Sequence, residues 1–380
     1  MRDLESAIFR ANPRYTLRPW NRLGPMSEAI VPSVAAAAPS FGVLLPSGQS
    51  GPPMREVSAD VALVFLVLRD PGLLPPPLAF ASQKRRYDEV ARLLLDGVLE
   101  IETGGGFLGG LEGCAQLGIT PVTAVQGGRI AQLSREGLRY GAALAFRDPA
   151  RLARKLYAYN RCPPGPRAPH VNGVTGTLDF LGLANGQTRA RIDRGWMISS
   201  ADAAWLVFTR RGTYKASARS PCKMYVSPRA EAMPSLLGDV ADALFATGAD
   251  QFKVGLGDAG LLRPDKLVAY FPSRDDLLAA NERMCTVVVG VPPHGVPFSS
   301  GLDGAGVLSW GVDPVGLGRS GAVSWRQWIT AVLAAALIGD DDGATAVEDR
   351  CTRALTRLRL EGVDADTFAP TSEWSGWVPA

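Results

Sequence analysis

Lysine is scarce in this chain. Of its 40 basic residues only six are lysine, namely Lys84, Lys155, Lys215, Lys223, Lys253 and Lys266. The arginine bias fits a GC-rich bacterial genome and makes every lysine worth inspecting. Histidine is scarcer still, with His170 and His294 alone. Zincin motifs and multi-histidine iron sites are therefore excluded, and a Ser-His-Asp triad has only two candidates. The five cysteines are scattered with no C-x-x-C pair, so neither a disulfide framework nor a zinc cage is expected, and the reducing cytosol is the expected compartment. A net charge of +3 is too small for a protein that coats nucleic acid. No run is long and apolar enough to span a bilayer, since Trp328 to Ile338 is too short. The charged N-terminus, with Arg2, Asp3, Glu5 and Arg10, makes a poor signal peptide. A soluble protein without membrane or nucleic-acid partners is expected.

The familiar nucleotide and hydrolase motifs are missing too. No G-x-x-x-x-G-K-[ST] and no G-x-S-x-G occurs. Gly255-Leu256-Gly257-Asp258-Ala259-Gly260 matches the dinucleotide pattern, but Arg263-Pro264 and another strand follow too soon for a phosphate-binding helix. A glycine-rich hairpin loop is expected there. Asp340-Asp341-Asp342-Gly343 fails as a calcium loop, because Ile338 and Asp349 fall where ligands belong. Neither a cofactor nor a metal is expected.

What remains is an α+β chain in three parts. Residues 1–148 form a mainly helical N-terminal region, with residues 1–55 irregular. Val61 to Leu68 reads as a buried helix or strand. An amphipathic helix over Lys84 to Leu99 precedes a glycine-flanked hairpin at residues 104–110, the outline of a winged-helix module. Helices follow at Arg129–Tyr140 and Pro149–Tyr159. Residues 149–340 hold a mixed or antiparallel sheet with flanking helices. Its strands are expected at Gly195-Trp196, Trp205–Thr209, Thr213–Ala218, Cys222–Val226, Gln251–Val254 and Lys266–Phe271, interrupted by one helix at Pro234–Ala246. A late helix opens with a capping box, Ser324 with Gln327. Residues 341–380 read as a solvated helix and tail.

One window carries a chemical signal. No acidic residue lies between Asp202 and Glu231, whereas Arg210, Arg211, Lys215, Arg219, Lys223 and Arg229 all do. Side chains alternate along a strand, so Lys223 and Tyr225 share a face, as do Lys215 and Arg219. Lys253 sits opposite Phe252 and Val254. Lys266, Val268 and Tyr270 share a further face, with Arg263 at that strand's entry. Four of the six lysines thus converge on one sheet. A face of Arg, Lys and Tyr suits a phosphate dianion. A merely solvated sheet face is the competing reading.

The order of several short motifs over roughly residues 150–335 resembles the HopA-type effector fold of plant pathogens. Bacterial relatives of that family serve as LanY lyase subunits in class V lanthipeptide and thioamitide biosynthesis. The matching text is Lys155-Leu156-Tyr157-Ala158-Tyr159-Asn160 with Pro163, then Phe180, Ala184-Asn185-Gly186 and Gly195-Trp196. It continues through Lys223-Met224-Tyr225-Val226-Ser227-Pro228, Phe252-Lys253 and Arg263-Pro264-Asp265-Lys266. Val296-Pro297-Phe298, Gly311-Val312-Asp313-Pro314 and Ser324-Trp325-Arg326 complete it. The resemblance implies elimination of phosphate from phosphoserine or phosphothreonine in a leader-bearing precursor peptide. It also implies a separate kinase, similar to aminoglycoside phosphotransferases, that installs the phosphate. The N-terminal region would then meet kinase or leader.

Elimination needs a base, and a lysine crowded by cations and partly desolvated can supply a neutral amine. Lys253 is the first candidate. Lys223, Arg263, Arg219, Lys215 and Lys266 are candidate phosphate ligands, Tyr225 a hydrogen-bond donor, and Asp265 the partner that orients Arg263. Phosphothreonine lyases pair their base with a histidine acid. His294 is the candidate here, against the reading of an ordinary surface histidine, and His170 is weaker. The amides opening the helix at Ser324 could also face phosphate, although capping alone explains that serine. Asn185 and Trp196 are expected to build the fold. Two other readings stay open, a non-catalytic subunit that binds peptide or stabilises the kinase and a host-directed effector.

Overall fold

The computed structural model describes residues 4–23, 40–48, 52–75, 83–122, 127–144, 146–163, 170–201, 204–212, 221–314, 323–338, 346–372 and 374. The stretch read as irregular, residues 1–55, holds three strands and the start of a fourth: β1 (Ile8–Ala11), β2 (Tyr15–Pro19), β3 (Ser40–Pro46) and β4 (Arg55–Ser58). β1, β2 and β4 are runs of four or five residues with one or two buried positions, too short to read a period, and the seven residues of β3 bury three in a row without alternating. Val61 to Leu68 resolves as helix, α1 (Ala59–Val67), whose N-cap Ser58 accepts from the amide of Val61. After β5 (Gly72–Leu73) come α2 (Gln83–Leu95) and the expected hairpin, β6 (Leu99–Thr103) with β7 (Gly106–Leu108). These strands form sheets of order β5-β1-β6-β7 and β2-β3-β4. Together with α3 (Gly110–Gln116) they enclose one core, from Leu4 to Ile119.

A larger core runs from Ala131 to Trp374. It begins with α4 (Arg129–Ala143) and α5 (Pro149–Tyr157). Asp148 caps α5, Pro149 opens it, and Asn160 beyond its end takes φ 66°, which cannot continue a helix. The short-strand reading from residue 165 onward misses three helices: α6 (Gly173–Phe180), α7 (Gly186–Gly195) and α10 (Arg274–Val287). Glycine, threonine and charged residues dominate the first two, which therefore carry little apolar stripe to read. The helix expected at Pro234–Ala246 is α8 (Met233–Ala246).

The strands of this half are β8 (Trp196–Ala201), β9 (Trp205–Arg210), β10 (Cys222–Val226), β11 (Gln251–Gly255), β12 (Leu267–Phe271), β13 (Ser300–Gly301) and β14 (Leu308–Val312). They build one antiparallel sheet of order β13-β14-β10-β12-β11-β9-β8. Thr213–Ala218, with Lys215 and Arg219, lies outside the described residues, as does the acidic loop Asp340–Gly343. The glycine-rich motif is one short helical turn, α9 (Gly257–Leu261), and not a hairpin loop. A Cβ on Gly255 would stand 2.4 Å from the carbonyl oxygen of Gly260, so these two glycines permit backbone to close on backbone.

Strand alternation divides the sheet chemically. Cys222, Met224, Val226, Leu206, Phe208, Phe252, Val254, Leu267, Ala269 and Phe271 all enter the large core. Phe208 and Phe252 are opposite each other and stack at 4.4 Å, and Trp196 meets Phe252 edge-on at 4.8 Å. The other face carries Lys223, Tyr225, Lys253, Val268, Tyr270 and Trp205. Two further helices close the chain. α11 (Trp325–Leu337) opens with the expected capping box, and α12 (Val347–Leu360) buries Cys351, Ala354, Leu355 and Leu358 where a solvated helix was expected. The α12 stripe packs against α4 and α11, while Leu360 reaches the N-terminal core.

Candidate functional site

Lys253 projects from β11 between Val207 of β9 and Val268 of β12. Its two strand neighbours, Phe252 and Val254, anchor the opposite face in the core, which fixes where its side chain emerges. Nζ lies 4.3 Å from the ring centre of Trp205 and 5.4 Å from that of Tyr270. The ammonium has no ion-pair partner among the carboxylates of the described residues. Burial, and next the nearby charge of Lys223, lower its pKa to about 8 against the upward pull of Asp265.

Two more cations reach the same rings. Lys223 on β10 stands 5.2 Å from the Tyr270 ring and pairs with Asp313, which follows β14. Arg263 lies 4.6 Å from the Trp205 ring and forks onto Asp265, with Nε to Oδ1 and Nη2 to Oδ2 both at 2.9 Å. The expected orienting role of Asp265 thus has a geometry. Asp265 is almost fully buried and also takes the Tyr157 hydroxyl at 3.0 Å and the Arg326 guanidinium at 3.0 Å. Although burial alone would raise its pKa, Arg326 and Arg263 hold this carboxyl well below the usual range. Tyr225 shares the face of Lys223. Its phenol, buried and near Asp313, is pushed well above the ordinary tyrosine pKa, so it keeps its proton.

The first turn of α11 is locked into this arrangement. Asp313 accepts from the Trp325 amide at 2.9 Å, and Ser324 Oγ accepts from the Gln327 amide. Those amides are thereby occupied, and what α11 directs toward the sheet face is the side chain of Arg326. That side chain is 1% exposed, donates to the carbonyls of Pro297 (3.1 Å) and Tyr157 (3.0 Å), and stacks over Tyr157 at 4.5 Å. Gly311, opposite Lys223 on β14, makes the approach possible, because a Cβ there would meet Trp325 at 2.4 Å.

His294 is buried, not a surface residue, and it belongs with Lys266. Its Nε2 donates to the carbonyl of Asn160 at 2.6 Å, which leaves Nδ1 to accept from Lys266 Nζ at 2.6 Å. Cys162 Sγ stands 3.1 Å from Nε2. Burial and the neighbouring Lys266 lower the imidazole to about 4, and burial lowers Lys266 to about 7. The structure therefore gathers Lys253, Lys223, Arg263, Asp265 and Tyr225 on one face and sets Lys266 with His294 in a separate buried pair. His170 is exposed and pairs with Asp258. Trp196 packs in the core and donates Nε1 to the Ala241 carbonyl at 3.0 Å.

Sequence reasoning gave no role to Tyr157, Asp313, Trp205 or the Arg326 side chain. Tyr157 ends a helix and Asp313 follows a strand, positions far from the basic window in sequence. The one usable signal was Asp313 in Val-Asp-Pro directly after an apolar strand. Lys253, Lys223 and Arg263 meet on this face with Asp265 and Asp313, and Arg326 reaches Asp265 from α11. Such a face carries surplus positive charge and can take an anion.

No protein-family model matches the sequence, and no curated protein does. Solved structures similar in fold include an effector protein from Pseudomonas syringae pv. tomato strain DC3000 (17% identity, 64% of this chain and 99% of that one, TM-score 0.40). Another is an effector protein from Pseudomonas syringae pv. syringae strain 61 (11% identity, 64% and 100%, TM-score 0.41). A third is the type III effector/phosphothreonine lyase OspF from Shigella flexneri (14% identity, 43% and 86%, TM-score 0.25).

Proposed function

We propose that the chain is a lyase that eliminates phosphate from phosphoserine or phosphothreonine in a peptide, with Lys253 as the base. The observation that supports this reading is a lysine with no carboxylate partner among the described residues, lowered to about 8 by burial and by the charges of Lys223 and Arg263. With Lys253 neutral, three cations, Lys223, Arg263 and Arg326, stand against the carboxylates Asp265 and Asp313, so net positive charge remains for a phosphate monoester dianion.

In this reading the neutral amine of Lys253 removes the Cα proton. The freed electron pair forms the Cα=Cβ bond as the Cβ–O bond breaks, giving dehydroalanine or dehydrobutyrine. Tyr225, whose phenol stays protonated, donates its proton to the departing oxygen, and the Lys253 ammonium restores it. Hydrogen phosphate leaves, and no external oxidant or reductant is needed. Arg263, held flat by Asp265, and Lys223 balance charge on the leaving group where it develops. Lys215 and Arg219 are further phosphate ligands in this proposal. His294 takes no proton-transfer role in it, because both ring nitrogens are committed to Lys266 and Asn160.

The sequence resemblance extends the reading. The substrate is a leader-bearing ribosomal precursor, phosphorylated in the cytoplasm by a separate kinase similar to aminoglycoside phosphotransferases. The N-terminal region is where leader or kinase binds.

The test is incubation with a synthetic phosphothreonine or phosphoserine peptide, following mass and free phosphate. Alkene formation with phosphate release, lost in Lys253→Ala by a factor on the order of 10³ or more, is expected. Retention of dehydration by Lys253→Ala in the presence of the kinase would instead favour a non-catalytic binding subunit.

A further inference from the structure

Three cations and two aromatic rings alternate along the sheet face. Trp205 lies between Arg263 (4.6 Å) and Lys253 (4.3 Å), and Tyr270 between Lys253 (5.4 Å) and Lys223 (5.2 Å). Like charges this close repel, and a carboxylate between them would relieve the repulsion. Here carboxylates serve only the outer two, Asp265 for Arg263 and Asp313 for Lys223. Among the described residues the central cation has ring faces and no ion pair, with Asp265 and Asp313 acting on it only from their places beside the outer two. A ring face attracts a cation through its quadrupole but adds no net charge.

We propose that Trp205 and Tyr270 are positioning residues that act as uncharged spacers. They hold Lys253 between two cations and stabilise its ammonium less than an ion pair would, so that the proton is not pinned and the surplus charge stays available to an anion. A carboxylate in either position would pin the lysine as an ammonium and cancel the charge meant for the ligand. Both rings are half-buried and rooted in β9 and β12, and Trp205 and Tyr270 pack with Tyr225, Val268 and Val296 in a small apolar cluster on this face. Backbone pairing therefore fixes the rings, Trp205 opposite Gly255 and Tyr270 opposite Gln251 and Lys223.

The role rests on the lyase reading, but its test does not. The ionisation of Lys253 is followed without substrate, as the pH dependence of its acylation by a small amine-reactive reagent, read by mass spectrometry. Trp205→Leu keeps apolar cover and removes the ring face, whereas Trp205→Phe keeps both. The expected result is a titration midpoint lowered by on the order of one pH unit in Trp205→Leu and close to wild type in Trp205→Phe. Tyr270→Leu against Tyr270→Phe is the second pair should either Trp205 variant fold poorly. Equal midpoints in the Leu and Phe variants would overturn the proposal, and so would a rise in the Leu variant, which would mean that the ring acts only by excluding water. Where wild type also eliminates phosphate, Trp205→Leu is expected to move the pH–rate profile with the same shift. A wild type that releases no phosphate but shows the titration shift would count against the lyase alone.

Discussion

Lys253 is the residue whose ionisation governs the proposed reaction. Its ammonium, lowered to about 8, is the inactive form of a base, so kcat/KM for elimination is expected to rise as pH increases through about 8 and then level off. A profile flat from pH 6 to 9 would contradict the assignment. Lys266 gives a stability counterpart. Its folded pKa is about 7 and its unfolded value is the ordinary lysine one near 10.4. Between those values the unfolded chain binds more protons than the folded one. Stability is therefore expected to increase with pH from about 7 to about 10, with the full penalty present below about 7. Lys253 adds the same sign over a narrower window. In Lys266→Met the urea midpoint is expected to vary less over that range, and an unchanged slope would refute the burial of this amine. The candidate base and its cationic neighbours were legible in the sequence because lysine is rare and strand alternation assigns faces. His294 was not, since a histidine in Pro-Pro-His-Gly reads as surface until Asn160, 134 residues away, folds over it.

Among the elements, α11 and β14 decide how closely the site is assembled. Gly311→Ala places a methyl where Trp325 Cδ1 lies 2.4 Å away, against a side chain that is itself fully buried. Overpacking of this kind costs about 1–3 kcal/mol. It should also move the first turn of α11, and with it Arg326 and Asp265, so loss of elimination is expected beyond the loss of stability. Full activity at a temperature where the variant is folded would show that this contact does not set the site. The capping box of α11 and the strand β10 were readable from local chemistry. The helices α6, α7 and α10 were not, because their stripes are weak and packing against the large core completes them. Of the N-terminal strands, β1, β2 and β4 escaped notice because each is too short to show a period, and β3 because its buried residues run together without alternating.

Across the whole molecule, α12 ties the two cores together. Arg357 pairs with Asp96 beyond α2 and with Glu361 at 2.8 Å, and Arg92 donates to the Leu360 carbonyl at 2.5 Å. Thr356 Oγ1 accepts from the Val122 amide at 3.0 Å. A tail read as solvated is thus a joint, a role visible only once contacts 234 to 268 residues apart are formed. The class α+β was legible from strand spacing, a mixed or an antiparallel sheet both fitted it, and the division of that sheet into an apolar and a cationic face followed from alternation. The ion-pair chain Arg326–Asp265–Arg263 was not, because it joins a helix start to a strand entry. The decisive reaction is the purified 380-residue chain with a phosphothreonine peptide, compared with Lys253→Ala under the same conditions. Free phosphate and an alkene product are expected from the wild type and neither from the variant. Phosphate release that regenerates the hydroxyl, or elimination that survives the substitution, would contradict this expectation.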